Sequence, residues 1–215
     1  MTYLQLVNAV MKRMREDTVT SLFQNQSSTI ISEFVNDAKR QVEDAHDWTA
    51  LGTDIIVPTV ADVATYSLTG SKNNATIIDV RDTTNGVMLH RVESAYVRRQ
   101  ELVNNPGTSR PSYWTEDGVD GSGDTIVKFW PTPDGAYLTS FRVVQRSGDL
   151  EEEGDLVTIP TKPIVLMAHV LAAAERGDVD SMDLQMLQGL AKKSLGDAIM
   201  YDMAKQPENS IWYPA

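Results

Sequence analysis

Ser27–Leu51 reads SSTIISEFVNDAKRQVEDAHDWTAL, and the fold of the whole chain turns on how this stretch is divided. Ile31, Phe34, Ala38, Val42 and Ala45 recur at intervals of three and four residues, which gathers them into one apolar stripe of a helix. Lys39, Arg40, Glu43, Asp44 and Asp47 fill the intervening positions and are expected to be solvated. The pattern stops at Trp48. Gly52 and the run Ile55-Ile56-Val57-Pro58 then change the period from helix to strand. Trp48 therefore marks the passage from a helical to a β region, and the sequence assigns it as the hinge between the two.

Working outward, Thr2 and Gln5 have capping-box spacing, and Leu4, Val7, Met11 and Met14 follow as a stripe, so a first helix is expected from Thr2 to about Arg15. Asp17–Gln26 reads as a loop, after which Ser27 or Ser28 can cap the second helix. Beyond Glu151-Glu152-Glu153, Thr161 can cap a third helix with Pro163 in its first turn and Gly177 as its stop. Asp180 or Ser181 then starts a long helix through Leu184, Leu187, Ala191, Leu195, Ala198 and Met203, which Pro207 closes. Between these pairs lie short β-branched and aromatic runs: 54–57, 75–80, 87–89, 112–114, 125–130 and 137–144. Asn85-Gly86 and Pro131-Thr132-Pro133-Asp134-Gly135 supply turn chemistry, and Ser94–Val103 has helical spacing.

The fold class expected is α+β: a four-helix bundle of N- and C-terminal helix pairs with a small, mainly antiparallel β domain inserted. Its parts are residues 1–52 with 160–206 for the helices, 53–159 for the β insertion and 207–215 for a tail. Hydrophobic residues make up 41% and charged residues 23%, within the globular range. The absence of cysteine removes disulfides, thiolate metal sites and cysteine nucleophiles. No leader pattern opens the chain and no apolar run reaches the ~20 residues that span a bilayer, so a soluble protein with no membrane partner is expected. A net charge of −11 argues against a surface that grips phosphates, yet it is compatible with nucleic acid sliding past an acidic wall.

A search for chemistry finds little. His46, His90 and His169 fall in separate elements without a second ligand-type residue at metal-binding spacing. Asp117, Asp120 and Asp124 alternate with glycines as in a calcium loop, but lack the spacing and the terminal Glu of an EF-hand; a solvated hairpin loop is the stronger reading. No phosphate-binding glycine motif occurs, so no enzyme activity, cofactor or metal is expected. A metal-dependent hydrolase using those three aspartates and a histidine is the rival from a different class. Arg81, Arg91, Arg98, Arg99, Arg110, Arg142 and Arg146 concentrate in the β region, as a basic face or as ion-pair partners between subunits. At the chain's far end, Ile211, Trp212 and Tyr213 are anchors of the kind enriched at binding hot spots.

The N-terminal Thr-x-Leu-Gln-Leu-Val helix, Ala45-x-Asp47-Trp48-x-x-Leu51, Tyr66-Ser67-Leu68, Arg110-Pro111-Ser112-Tyr113-Trp114, Phe129-Trp130-Pro131-Thr132-Pro133 and the closing helix pair together resemble tailed-phage head-to-tail adaptor proteins of the tail tubular protein A type. The resemblance covers almost the whole chain. It implies a structural protein of the virion neck, made in the host bacterial cytoplasm, that forms a ring, usually of twelve subunits, between the portal and the tail tube or nozzle. Ile211, Trp212 and Tyr213 become contacts to the portal or a neighbouring subunit. An acidic channel, for which Glu151, Glu152 and Glu153 are candidate lumen residues, would let DNA pass without specific binding. A stopper or tail-completion protein is the nearest alternative.

Overall fold

A computed structural model describes residues 1–72, 75–104, 107–177 and 179–205. Among these, five α-helices and seven β-strands divide into two compact units, Met1–Leu51 with Ser147–Ala215, and Gly52–Arg146.

The helical unit contains α1 (Tyr3–Arg13), α2 (Gln26–Asp44), a 3-10 turn (Thr49–Leu51), α4 (Thr161–Arg176) and α5 (Ser181–Met203). The capping box on α1 forms as expected: Gln5 N–H donates to Thr2 Oγ1 at 3.3 Å and Thr2 N–H donates to Gln5 Oε1 at 3.0 Å. Helix α2 starts slightly earlier than its serines suggest. Asn25 is its cap, accepting from Ser28 N–H at 2.7 Å, with Ser28 Oγ accepting from Asn25 N–H in return. Gly177 ends α4 at φ +68°, a left-handed conformation that glycine adopts without a Cβ clash. Helix α4 packs against α1, α2 and α5, because its small residues Ala168, Ala172 and Ala173 let all three approach closely. Leu6, Val7 and Val10 of α1, Val35, Ala38 and Val42 of α2, and Ile164 of α4 are fully enclosed in the resulting core.

The solvated face expected of α2 is corrected at two positions. Lys39 and Glu43 are buried, at 1% and 3% exposure, because the segment after Arg146 runs across that face. Lys39 Nζ donates to Ser147 O at 3.2 Å and Gly148 O at 2.8 Å and lies 3.0 Å from Glu43 Oε1, which accepts from Ser147 Oγ at 2.6 Å. Two charges are thereby taken out of water with their hydrogen-bonding capacity largely used, the condition under which a buried pair is tolerated.

Gly52–Arg146 forms a seven-stranded sheet in the order β1-β7-β3-β4-β5-β6-β2. The strands are β1 (Gly52–Pro58), β2 (Thr65–Ser67), β3 (Ala75–Asp82), β4 (Val87–Arg91), β5 (Tyr113–Val119), β6 (Thr125–Trp130) and β7 (Leu138–Gln145). All neighbours pair antiparallel except β4 and β5, which run parallel and are linked through α3 (Ser94–Asn104). A parallel pair needs a crossover of this kind, since a tight turn only reverses the chain. Gly86, at φ +67°, turns β3 into β4.

The expectation of a four-helix bundle carrying a small β insertion is therefore wrong. The strand segments are not a minor insert but one large sheet, with a fifth helix and a core of its own. Trp114, Phe129 and Phe141 centre that core, with ring centroids 6.2 Å apart for Trp114–Phe141 and 5.9 Å for Phe129–Phe141, among Leu68, Val80, Val127 and Val143. Each such side chain contributes on the order of 1.5–3 kcal/mol of burial.

Candidate docking surfaces

Helix α5 carries a run of exposed large apolar side chains, while others, Phe23, Leu102, Val103 and Leu156 among them, are spread over the rest of the described residues. Asp180 opens this helix by accepting from Met182 N–H and Asp183 N–H, both at 2.9 Å. One face then packs on α4, with Ala191, Ser194 and Asp202 buried and Leu184, Leu187 and Ala198 half-buried. The remainder is left in solvent although it is rich in methionine. Met182, Met186 and Met200 are exposed by 80%, 60% and 72%, beside Leu190, Tyr201 and Met203. A long helix that is apolar on more than one side normally has a covering layer on each. Gly189 and Gly196 add to the pattern, since a Cβ at either would meet nothing within 4 Å of this chain.

The C-terminal end of α5 is pinned by Asp202. Its Oδ2 accepts from Thr49 N–H at 2.9 Å and Thr49 Oγ1 at 3.0 Å, and lies 3.4 Å from His46 Nε2, while Oδ1 is 3.3 Å from Lys205 Nζ. Burial alone would push this carboxyl up; the Thr49 donors and the Lys205 ammonium more than offset it and hold it below the usual aspartate value. Beside this network Trp48 is fully buried, its Nε1 donating to Val42 O at 2.7 Å and its ring edge-on to His46 at 5.1 Å. Trp48, Ile159, Pro160, Tyr201 and Lys205 line a cleft of about 580 Å³. A smaller groove, about 230 Å³, runs between α4 and α5 and is lined by Gln41, Met167, Val170, Leu171, Gln188, Ala191 and Lys192.

The other candidate residues are dispersed. Ile211, Trp212 and Tyr213 lie outside the described residues. Glu151 and Glu152 are exposed, whereas the Glu153 carboxylate accepts from Leu22 N–H at 3.2 Å. Asp155 accepts from the Glu151 and Glu152 N–H groups at 2.8 Å, which lowers its carboxyl and ties the acidic run into a turn. In the sheet unit Asp120 accepts from Ser67 Oγ at 2.5 Å and from Ser122 N–H and Asp124 N–H at 2.8 and 3.0 Å, while Asp124 accepts from Lys72 N–H at 2.9 Å. These carboxylates hold a hairpin loop. Among the described residues, no group of three or more potential ligands stands in a metal-binding arrangement. Of the arginines, Arg81, Arg91, Arg98 and Arg142 face Asp79, Glu116, Asp117 and Asp54 of the same chain. His169, half-buried on α4, has its basicity lowered by burial and by the Arg13 charge.

No described helix is long and apolar enough to cross a membrane. A family model described as SU10 adaptor protein matches residues 1–211, and the chain belongs to that family of phage adaptor proteins. No match is found among curated proteins.

Proposed function

We propose that this adaptor forms a closed ring, of twelve subunits in the pattern of tail tubular protein A, between the portal and the tail tube or nozzle of the phage neck. The observation that carries the reading is the outer face of α5, where Met182, Met186, Leu190, Met200 and Met203 stand exposed on a helix that needs cover on that side. Copies of one chain that meet through two different surfaces either close into rings or run on as filaments, and a neck component requires the closed form. The net charge of −11 suits a channel wall that repels phosphates, so that DNA moves through without adhering. Glu151 and Glu152, exposed and next to one another, are the first residues to place on that wall, with Glu153 behind them. Trp48, just before the boundary at Leu51, is the pin from which the helical unit hands the chain to the sheet.

Ile211, Trp212 and Tyr213 follow α5 and dock on the portal or on a neighbouring subunit in this reading. Deleting Ile211–Ala215 tests it: attachment to purified portal rings should weaken at least about tenfold, the loss of one anchor worth ~1.4 kcal/mol or more, with the far-ultraviolet circular dichroism unchanged. A truncated chain that unfolds would show that the segment is part of the chain's own core. Full-length protein that binds tail-tube subunits and ignores portal rings would make it a stopper or tail-completion protein.

A further inference from the structure

Helix α5 has two unlike flanks. Asp183, Leu190 and Asp197 recur every seven residues and therefore share one of them, while Gln185, Lys192 and Ile199 recur in the same way on another. Leu190 and Lys192 are two residues apart, which at 3.6 residues per turn sets them roughly 160° apart around the axis. The first flank offers an apolar knob, Leu190 at 49% exposure, between two carboxylates. The second opens on the groove between α4 and α5, where Met167, Val170 and Leu171 form the apolar wall and Lys192 stands at the rim. Neither the Lys192 nor the Asp197 side chain has an ion-pair or hydrogen-bond partner among the described residues.

We propose that the subunits join through these two flanks: the Leu190 side of one α5 seats in the Met167–Leu171–Lys192 groove of the next copy. This rests on the ring reading and supplies its interface. A rotation about a ring axis without rise carries each residue to the same height on the neighbour, so knob and groove must lie at one level of the helix. They do, since Leu190 falls between Gln188 and Lys192 in sequence. With α5 along the axis, neighbouring helices run parallel, and Lys192 faces Asp197 of the adjacent copy with the stagger of a charged pair flanking a parallel helical seam. Opposite charges on opposite flanks favour this heterologous contact over one in which like flanks meet.

The chain has no cysteine, which makes the contact directly testable. Full-length protein carrying Leu190→Cys together with Met167→Cys should give a ladder of disulfide-linked oligomers on mild oxidation of the assembled material, and either single variant should give none. Lys192→Glu should weaken assembly about fivefold in sedimentation, as an exposed ion pair is worth up to ~1 kcal/mol, and adding Asp197→Lys should restore it. Oligomers that form without the ladder, or cross-linked dimers from Leu190→Cys alone, would overturn this interface and leave the ring standing. Wild-type chain that stays monomeric both free and on portal rings would overturn the ring reading, and this interface with it.

Discussion

At the scale of single residues, the most consequential feature is the Lys39–Glu43 pair, which local sequence places on the wrong side of α2. Charged residues at i and i+4 normally signal a solvated helix face. Here the lid is Ser147–Gly148, more than a hundred positions along the chain, and no window of sequence around α2 contains it. Glu43→Ala strands the lysine ammonium in a dry site and should cost about 3–5 kcal/mol of unfolding free energy in a urea titration. The double variant Lys39→Met with Glu43→Leu should recover most of that loss; a single variant as stable as wild type would mean that water reaches the lysine freely. Asp202 is the second such residue. Its folded-state carboxyl lies below the unfolded value, so its contribution is present in full above the unfolded value near 3.9 and is lost as pH falls below it. Asp202→Asn should therefore lose about 1–2 kcal/mol at pH 7, the worth of hydrogen bonds to a charged group, and the gap to wild type should narrow as pH falls below the unfolded value and the folded carboxyl takes up its proton. An unchanged gap at low pH would assign the loss to packing.

At the scale of elements, some caps and stops were legible because they are local chemistry: Thr2 with Gln5, Asp180 and Gly177 each sit where their side chain or φ requires. Two expected caps were not: Asn25 caps α2 in place of Ser27 or Ser28, and Thr161 lies inside the first turn of α4, with Pro160 at the cap position and no side-chain cap bond. The strands were legible one at a time, whereas their union into a single sheet was not. The parallel pairing of His90 with Tyr113 and Arg91 with Trp114, which makes β4 and β5 neighbours, depends on contacts across α3 that no alternation within a strand encodes. Helix α5 shows the converse. Its periodicity marks a helix plainly, but apolar residues on more than one side leave the number of covering layers open, and the chain's own fold covers one. The glycines separate intrinsic helix stability from interface geometry. Gly189→Ala and Gly196→Ala meet no steric obstacle within the chain, so each should raise the stability of the free protein by up to about 1 kcal/mol, seen as a higher thermal midpoint. If either lowers it, the helix backbone around that glycine is under a constraint that these contacts do not contain.

At the scale of the whole molecule, the chain leaves one compact unit at Leu51, completes a second from Gly52 to Arg146, and returns at Ser147. Entry and exit are adjacent because β1 and β7 pair antiparallel, with Gly52 opposite Val144. An excised sheet unit would thus have its ends side by side, and closing them costs little chain entropy. It also keeps its whole core, from Leu68 through Trp114, Phe129 and Phe141 to Val143, none of which belongs to the helical unit. Residues 52–146 expressed alone should therefore fold, giving dispersed amide resonances and a cooperative urea transition. The helical unit has the opposite character, since α1 and α2 come from before the sheet and α4 and α5 from after it. Replacing residues 52–146 by a short glycine-serine linker between positions 51 and 147 should preserve its helical circular dichroism, because Lys39 already holds Ser147 and Gly148, and Thr49 on Asp202 with Leu51 N–H on Trp48 O holds the other end. A sheet unit that stays unfolded when excised, beside a linked helical unit that folds, would mean that the sheet depends on its tether, and the two units could not then be treated as separate folding bodies in the assembled neck.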